Sequence, residues 1–272
     1  IDVLMLGFFV EEELVGLYAI ARRIASAMLK PLQAFDPIFS SIVSELSYRQ
    51  QHRELGHRFV VISRWILTIN LPIFAGILIV GNHLLTMLAG DRILNLSEIE
   101  VEAGIKVLSL LCIGMMVQGV FAVGEPLLAM AGRPHLNLYS NSLWLAANFL
   151  LTLWLIKAYG IVGAAAGATL AATLANGIRL LQVYLIHDIL PFRRSQLKPL
   201  AAALGAGVAG WLVRSQIATG MLWSMVASLV VFLGIYMFLL AYLGLEAEYR
   251  ALLSRLGRRV KGFVSPYFGN RR

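Results

Sequence analysis

The chain has 272 residues, of which 59% are hydrophobic and only 14% charged, and its mean hydropathy is +0.77. Soluble domains carry about 25% charged residues, so the composition excludes an ordinary soluble domain and defines an all-α polytopic membrane protein. The net charge of +8 does not point to nucleic acid, because the basic residues are spread among short loops and form no recognisable binding module.

Ile1 to Val10 reads as the end of a spanning helix, followed by the acidic loop Glu11–Glu13. The chain opens inside an apolar run, with no n-region, h-region and cleavage site of a signal peptide. It is therefore read as a fragment whose N-terminal part is missing. Leu14 to Val43 is the next helix, about 45 Å long at 1.5 Å per residue, longer than a bilayer core of about 30 Å requires. It carries Arg22, Arg23, Lys30 and Asp36, and ionisable groups inside a membrane helix mark a pathway or binding site by default. At about 100° per residue, Arg23, Ser26, Lys30 and Gln33 fall on one stripe, which Arg22, Asp36 and Ser40 widen. Pro31 and Pro37 are expected to bend its second half, since each removes a backbone donor.

Further spans are expected over Phe59–Leu88, Ala103–Met130, Leu136–Ile156, Ile161–Ile186, Pro199–Val213 and Met221–Leu243. That makes seven complete helices and the end of another. Arg49, Arg53, Arg58, Arg133, Arg193, Arg194, Lys198 and the basic tail lie on one set of alternate connections; Arg92, Lys157 and Arg214 lie on the other. The positive-inside rule puts the first set and the C-terminus in the cytoplasm. In the tail Leu245–Val264, Tyr249, Leu252, Leu253, Leu256, Val260 and Phe263 share one face with arginines opposite, the pattern of a basic amphipathic helix on an anionic leaflet.

Other polar residues have structural readings. Arg64, Lys106 and Arg179 lie near expected helix ends, where long basic side chains snorkel. Glu125, before Pro126, reads as a solvated or Arg-paired end residue, with a coupling acid as the alternative. Asn137, Asn141 and Asn148 read as interhelical hydrogen-bonding groups, with sugar binding as the alternative, and Gly160, Gly163, Gly167 and Ala171 as a face for close helix packing. Cys112, the single cysteine, sits in an apolar run and reads as a buried small hydrophobe. The five histidines have no metal-ligand spacing on a shared face, and no nucleophile motif is present. Neither an enzyme nor a cofactor is indicated.

Several motifs carry a family resemblance. Gly132 and Pro134 follow one helix; Asn137, Asn141 and Asn148 mark the next; then come Leu155-Ile156, Tyr159-Gly160 and Gly163-Ala164-Ala165. Earlier stand Asp2 with Leu4, Leu6 and Gly7, then Val15-Gly16-Leu17-Tyr18, Ala21, Arg23 and Pro37. In these residues the chain resembles the C-terminal half of the lipid-linked oligosaccharide (O-antigen/polysaccharide) flippases of the multidrug/oligosaccharidyl-lipid/polysaccharide exporter superfamily, over roughly residues 1–190. Lys157 and Thr152 depart from that pattern.

The resemblance implies two six-helix lobes facing each other across a cavity. Residues 1–190 would be the C-terminal lobe with its first helix truncated, 191–244 two additional transmembrane helices, and 245–272 a basic cytoplasmic tail. Leu14–Val43 would line the cavity, and the missing N-terminal lobe of the same polypeptide would supply the other wall. The partners implied are an undecaprenyl-pyrophosphate-linked glycan and the bilayer of a bacterial inner membrane. Arg22, Arg23 and Lys30 would bind the pyrophosphate, since Arg pairs bidentately with such groups and Lys acts as a point charge; the alternative for Arg22 and Arg23 is snorkelling to the outer interface. Gln33 lies on the same wall, and Asp36 is a counter-charge, a protonatable coupling site or a local hydrogen-bonding group at the Pro37 kink. The alternatives are a cation-coupled multidrug antiporter of the same superfamily, a membrane-embedded glycan polymerase or ligase, and a non-transporting scaffold. The antiporter would need a more acidic cavity, and the polymerase or ligase larger external loops.

Overall fold

A computed structural model describes residues 2–49, 51–89, 97–130, 132–187, 196–216 and 221–243. The amphipathic reading of 245–264 and the loop arginines Arg193 and Arg194 lie outside the described residues. In order the helices are α1 (Asp2–Phe9), α2 (Glu12–Ala25), a 3₁₀ segment (Ser26–Leu29), α3 (Lys30–Tyr48), α4 (His52–Ala89), α5 (Glu98–Phe121), α6 (Gly124–Met130), α7 (Pro134–His187), α8 (Leu197–Gln216) and α9 (Met221–Tyr242). The protein is an all-helical membrane protein.

Local chemistry accounts for several of these elements. Glu12 and Glu13 occupy the first turn of α2 and Arg22 and Arg23 its last, which complements the helix dipole at both ends. A reciprocal capping box opens α5: Ser97 accepts from the Glu100 backbone N–H, and the Glu100 carboxylate accepts from the Ser97 backbone N–H at 2.7 Å. That arrangement satisfies donors a helix start leaves unpaired. At α7 a single continuous rod is interrupted at Gly160, where φ is +55° and ψ −133°. Only glycine adopts such a conformation without strain, and it folds α7 into two limbs, 134–159 and 161–187. The limbs pack very closely. A Cβ at Gly167 would stand 2.8 Å from the Thr152 backbone, so the small-residue face lies against the first limb.

The polar rod 14–43 breaks elsewhere than the prolines alone suggested. It tightens to 3₁₀ at Ser26–Leu29, ahead of Pro31, while Pro37 lies within α3. Pro31 cannot donate to the Ala27 carbonyl four residues back. The Lys30 backbone N–H takes that carbonyl instead, and an i→i−3 bond is the 3₁₀ pattern.

Two apolar clusters hold the assembly. One gathers Leu6, Leu17, Tyr18, Ala21 and Met28 against Leu108, Cys112 and Ala164, joining α1, α2, α5 and the α7 hairpin. The other gathers Phe39, Phe59, Ile66, Leu127, Phe232 and Tyr236. Helices α8 and α9 pack on each other and on α4. The Tyr236 hydroxyl of α9 donates to the Thr68 carbonyl at 2.8 Å, the carbonyl that Pro72 leaves without its helical partner.

Among the described residues, stretches long and apolar enough to cross a membrane occur in α4, α5, α7 and α9. The α7 stretch, Pro134–Ile186, includes both limbs, and the apolar run of α8 is shorter, Leu197–Gly210. The rod 14–43 does not qualify, because the 3₁₀ break divides it and its charges lower its hydropathy. Its membrane placement therefore depends on what covers its polar face.

Close approach at Gly167 gives a direct test. Gly167→Ala is expected to destabilise by about 1–3 kcal/mol, the cost of overpacking a tight contact. Gly177→Ala, where an added Cβ meets nothing within 4 Å, is expected to be neutral or stabilising through helix propensity. Thermal unfolding in detergent measures both, and equal melting temperatures for the two variants would contradict the packing described.

Candidate functional site

The broken rod has an apolar back and a polar front. Leu17, Tyr18, Ala21, Ala25, Met28, Phe39 and Val43 are buried, which turns the remaining face outward. Arg23, Lys30, Gln33 and Asp36 are all exposed on that front, and Ser26 and Ser40 are half-buried. Lys30 Nζ donates to Gln33 Oε1 at 3.2 Å, so the amide steadies the ammonium one turn away. Ser26 Oγ donates to the Arg23 carbonyl at 2.6 Å, at the start of the 3₁₀ segment. Arg23, Lys30, Gln33 and Asp36 are exposed on both sides of the 3₁₀ segment.

Arg22 is separated from this row. Its guanidinium pairs with the carboxylate of Asp2 in α1, which also accepts from the Tyr18 hydroxyl at 2.7 Å. Asp2 is buried to 3% side-chain exposure, whereas Arg22 remains 39% exposed. The pair ties α1 to α2 and gives Asp2 the counter-charge that burial demands.

A second polar constellation lies where α5, α6 and both limbs of α7 meet. Arg179 is buried, at 5% exposure, and does not snorkel. Asn141 and Asn176 both accept from its guanidinium, at 2.8 and 3.0 Å. Glu125 Oε2 stands 3.8 Å away, in line with an Arg-paired end residue. Arg64 is also buried, at 4%, since α4 begins at His52, a dozen residues before it, rather than near Phe59. Lys106 stays exposed and pairs with Glu102 at 2.9 Å. Asn137 donates to the Glu125 carbonyl at 2.9 Å and Asn141 joins the two limbs of α7. Asn148 instead accepts from Thr152 within its own helix at 2.9 Å.

The partnership of Asp2 with Arg22 spans twenty residues and has no periodic signature. Asn176 and Arg179, at i and i+3, do carry one: two polar groups on one face of an apolar helix. No group of three or more His, Cys, Asp or Glu residues suited to a metal occurs among the described residues.

Fold and site together define a multi-pass helical membrane protein. In sequence it is similar to the probable flippase AglR of Haloferax volcanii, 27% identical over 179 residues, which covers 65% of this chain and 36% of that protein. In structure it is similar to the lipid II flippase MurJ in an inward closed conformation, with a TM-score of 0.70 and 15% identity over 93% of this chain and 50% of that one. No family model matches the chain. The chain spans between about a third and a half of the length of these proteins.

Charge pairing separates two adjacent arginines. Arg22→Ala strands the buried Asp2 carboxylate and is expected to cost about 2–3 kcal/mol, below the full buried-pair range because Tyr18 still donates. Arg23→Ala, on the exposed front, is expected to cost less than about 0.5 kcal/mol. Replacing Asp2 and Arg22 together by Leu should recover most of the loss. Thermal unfolding of the four proteins is the measurement; equal losses for Arg22→Ala and Arg23→Ala would exclude the pairing.

Proposed function

We propose that this chain forms one lobe of a flippase that moves a polyprenyl-pyrophosphate-linked glycan across a bacterial inner membrane by alternating access. Residues 1–190 are the lobe, 191–244 a two-helix addition, and 245–272 a basic tail on the cytoplasmic side. The carrying observation is the exposed row of Arg23, Lys30 and Gln33 on a rod whose other face is packed into the lobe. The similarity to AglR and MurJ, both described as flippases, supports the reading.

The chemistry follows from the carrier. A pyrophosphate needs cations in a site of low dielectric, where Coulomb attraction exceeds its value in water. Arg23 offers a planar fork for bidentate pairing with phosphate oxygens, and Lys30 a point charge. Gln33 orients Lys30 and has amide donors for a glycan hydroxyl or phosphate oxygen. Asp36, one turn beyond Gln33, lowers the net charge of the row so that the head group can leave. Arg22 acts as a positioning residue, because its pairing with Asp2 fixes the last turn of α2 and so the direction of Arg23. An exposed row with more bases than acids disfavours the cation-coupled antiporter.

Reconstituted into vesicles, the full-length protein carrying Arg23→Ala and Lys30→Ala together is expected to translocate a polyprenyl-pyrophosphate glycan at least about tenfold more slowly, since each charge-assisted contact contributes about 1.5–3 kcal/mol. Arg23→Lys should retain part of the rate. Wild-type transport by the double variant would overturn the role given to the row.

A further inference from the structure

Apart from the cationic row, a pocket of about 380 Å³ opens between α5, α6 and the two limbs of α7. This volume is at the lower end of the roughly 300–1,000 Å³ of small-ligand sites. Gln118, Glu125, Asn141, Trp144, Asn176 and Arg179 are among its lining residues. We propose that it is a saccharide subsite, taking a neutral sugar ring of the transported glycan. The proposal rests on the flippase reading and extends it to a place where that reading put no contact.

The balance of charge selects the ligand. Arg179 and Glu125 supply one positive and one negative group to the same pocket. A free phosphate or carboxylate would meet the Glu125 carboxylate, and a cation would meet the buried guanidinium. A neutral polyol suffers neither repulsion. Its hydroxyls both donate and accept, as this lining requires. Glu125 Oε2 is too far from Arg179 for a hydrogen bond at 3.8 Å, and the carboxylate is 47% exposed, so it remains able to accept. Asn141 and Asn176 spend their oxygens on Arg179. The amide nitrogen of Asn176 is committed to the Ala172 carbonyl at 2.8 Å, whereas Asn141 is exposed and its amide nitrogen can donate outward. Gln118 adds an amide able to do both.

The buried guanidinium gives the site rigidity. Arg179 cross-links the two limbs of α7 through Asn141 while also holding Asn176, and its Nε is buried without a hydrogen-bond partner. Trp144, half-buried at the same opening, presents an apolar ring face with a polar edge, suited to the C–H face of a pyranose. Planar amides, one acid, one base and an indole in a small pocket are the groups that read a sugar's alternating polar edge and apolar face.

The test uses the full-length protein in nanodiscs and saturation-transfer NMR. The probes are methyl glycosides of common hexoses and N-acetylhexosamines, the glycan released from its lipid carrier in the source cell, sodium phosphate and a quaternary ammonium salt. Saturable binding of the released glycan or a methyl glycoside is expected, weakened about tenfold by Asn141→Ala, the loss of one hydrogen bond to the sugar. Trp144→Ala should weaken it similarly, and Trp144→Phe should preserve it within about threefold, because a ring face remains. An Asn141→Ala variant that melts like wild type excludes unfolding as the cause. Binding of phosphate or ammonium in place of the sugars would overturn the proposal, as would sugar binding indifferent to Trp144 and Asn141, or no sugar binding at all. Translocation measured on the same protein separates the two readings. Transport without sugar binding rejects the subsite alone, and sugar binding without transport rejects the flippase.

Discussion

An ionised side chain at the centre of a bilayer costs about 2.5–3.5 kcal/mol even on the insertion scales that put it lowest. Each charge in this helical assembly therefore has to be paired, buried among hydrogen-bonding groups, or turned toward something other than lipid. Two arginines meet the first demands. Arg22 takes the buried carboxylate of Asp2, and Arg179 takes two asparagine oxygens with Glu125 nearby. Arg23 and Lys30 remain on the open front of the rod. Their exposure beside paired neighbours is what makes them functional candidates, since a packing role would have drawn them inward.

The second constraint comes from prolines, each of which leaves a carbonyl without its helical donor. At Pro31 the chain answers locally: Lys30 takes the Ala27 carbonyl and the helix tightens to 3₁₀. At Pro72 the answer is tertiary, with Tyr236 of α9 donating to Thr68. One solution divides the polar rod between Arg23 and Lys30. The other fastens the α8–α9 pair to α4. The same missing donor thus shapes the candidate wall and attaches α8 and α9 to α4.

Much of the architecture was legible because hydropathy and spacing are local properties. The spans within α4, α5, α7 and α9, the turn at Gly160 and the close packing at Gly167 follow from composition and from glycine's lack of a Cβ. The exposed residues Arg23, Lys30 and Gln33 were legible for the same reason, as members of one helical stripe. Arg22 shares that stripe in projection, yet its partner comes from α1, and no periodicity reports a contact across separate helices. Arg64 and Arg179 are buried and do not snorkel, because distance from an expected helix end is no measure of burial. The longer α4 removes the end near Arg64, and Asn141 and Asn176 supply the partners that make burial of Arg179 tolerable. The polar pocket followed from that burial and had no separate mark in the sequence.

The central claim is that Arg23, Lys30 and Gln33 face a hydrated path used by the glycan carrier while Ala25 and Met28 face the packed lobe. Single cysteines at these five positions, with the buried Cys112 replaced, can be challenged in membranes with a charged, membrane-impermeant maleimide. Labelling at 23, 30 and 33, its suppression by polyprenyl-pyrophosphate glycan, and silence at 25 and 28 are the results predicted. Silence at all five positions, or labelling at 23, 30 and 33 that the carrier leaves unchanged, would contradict the account.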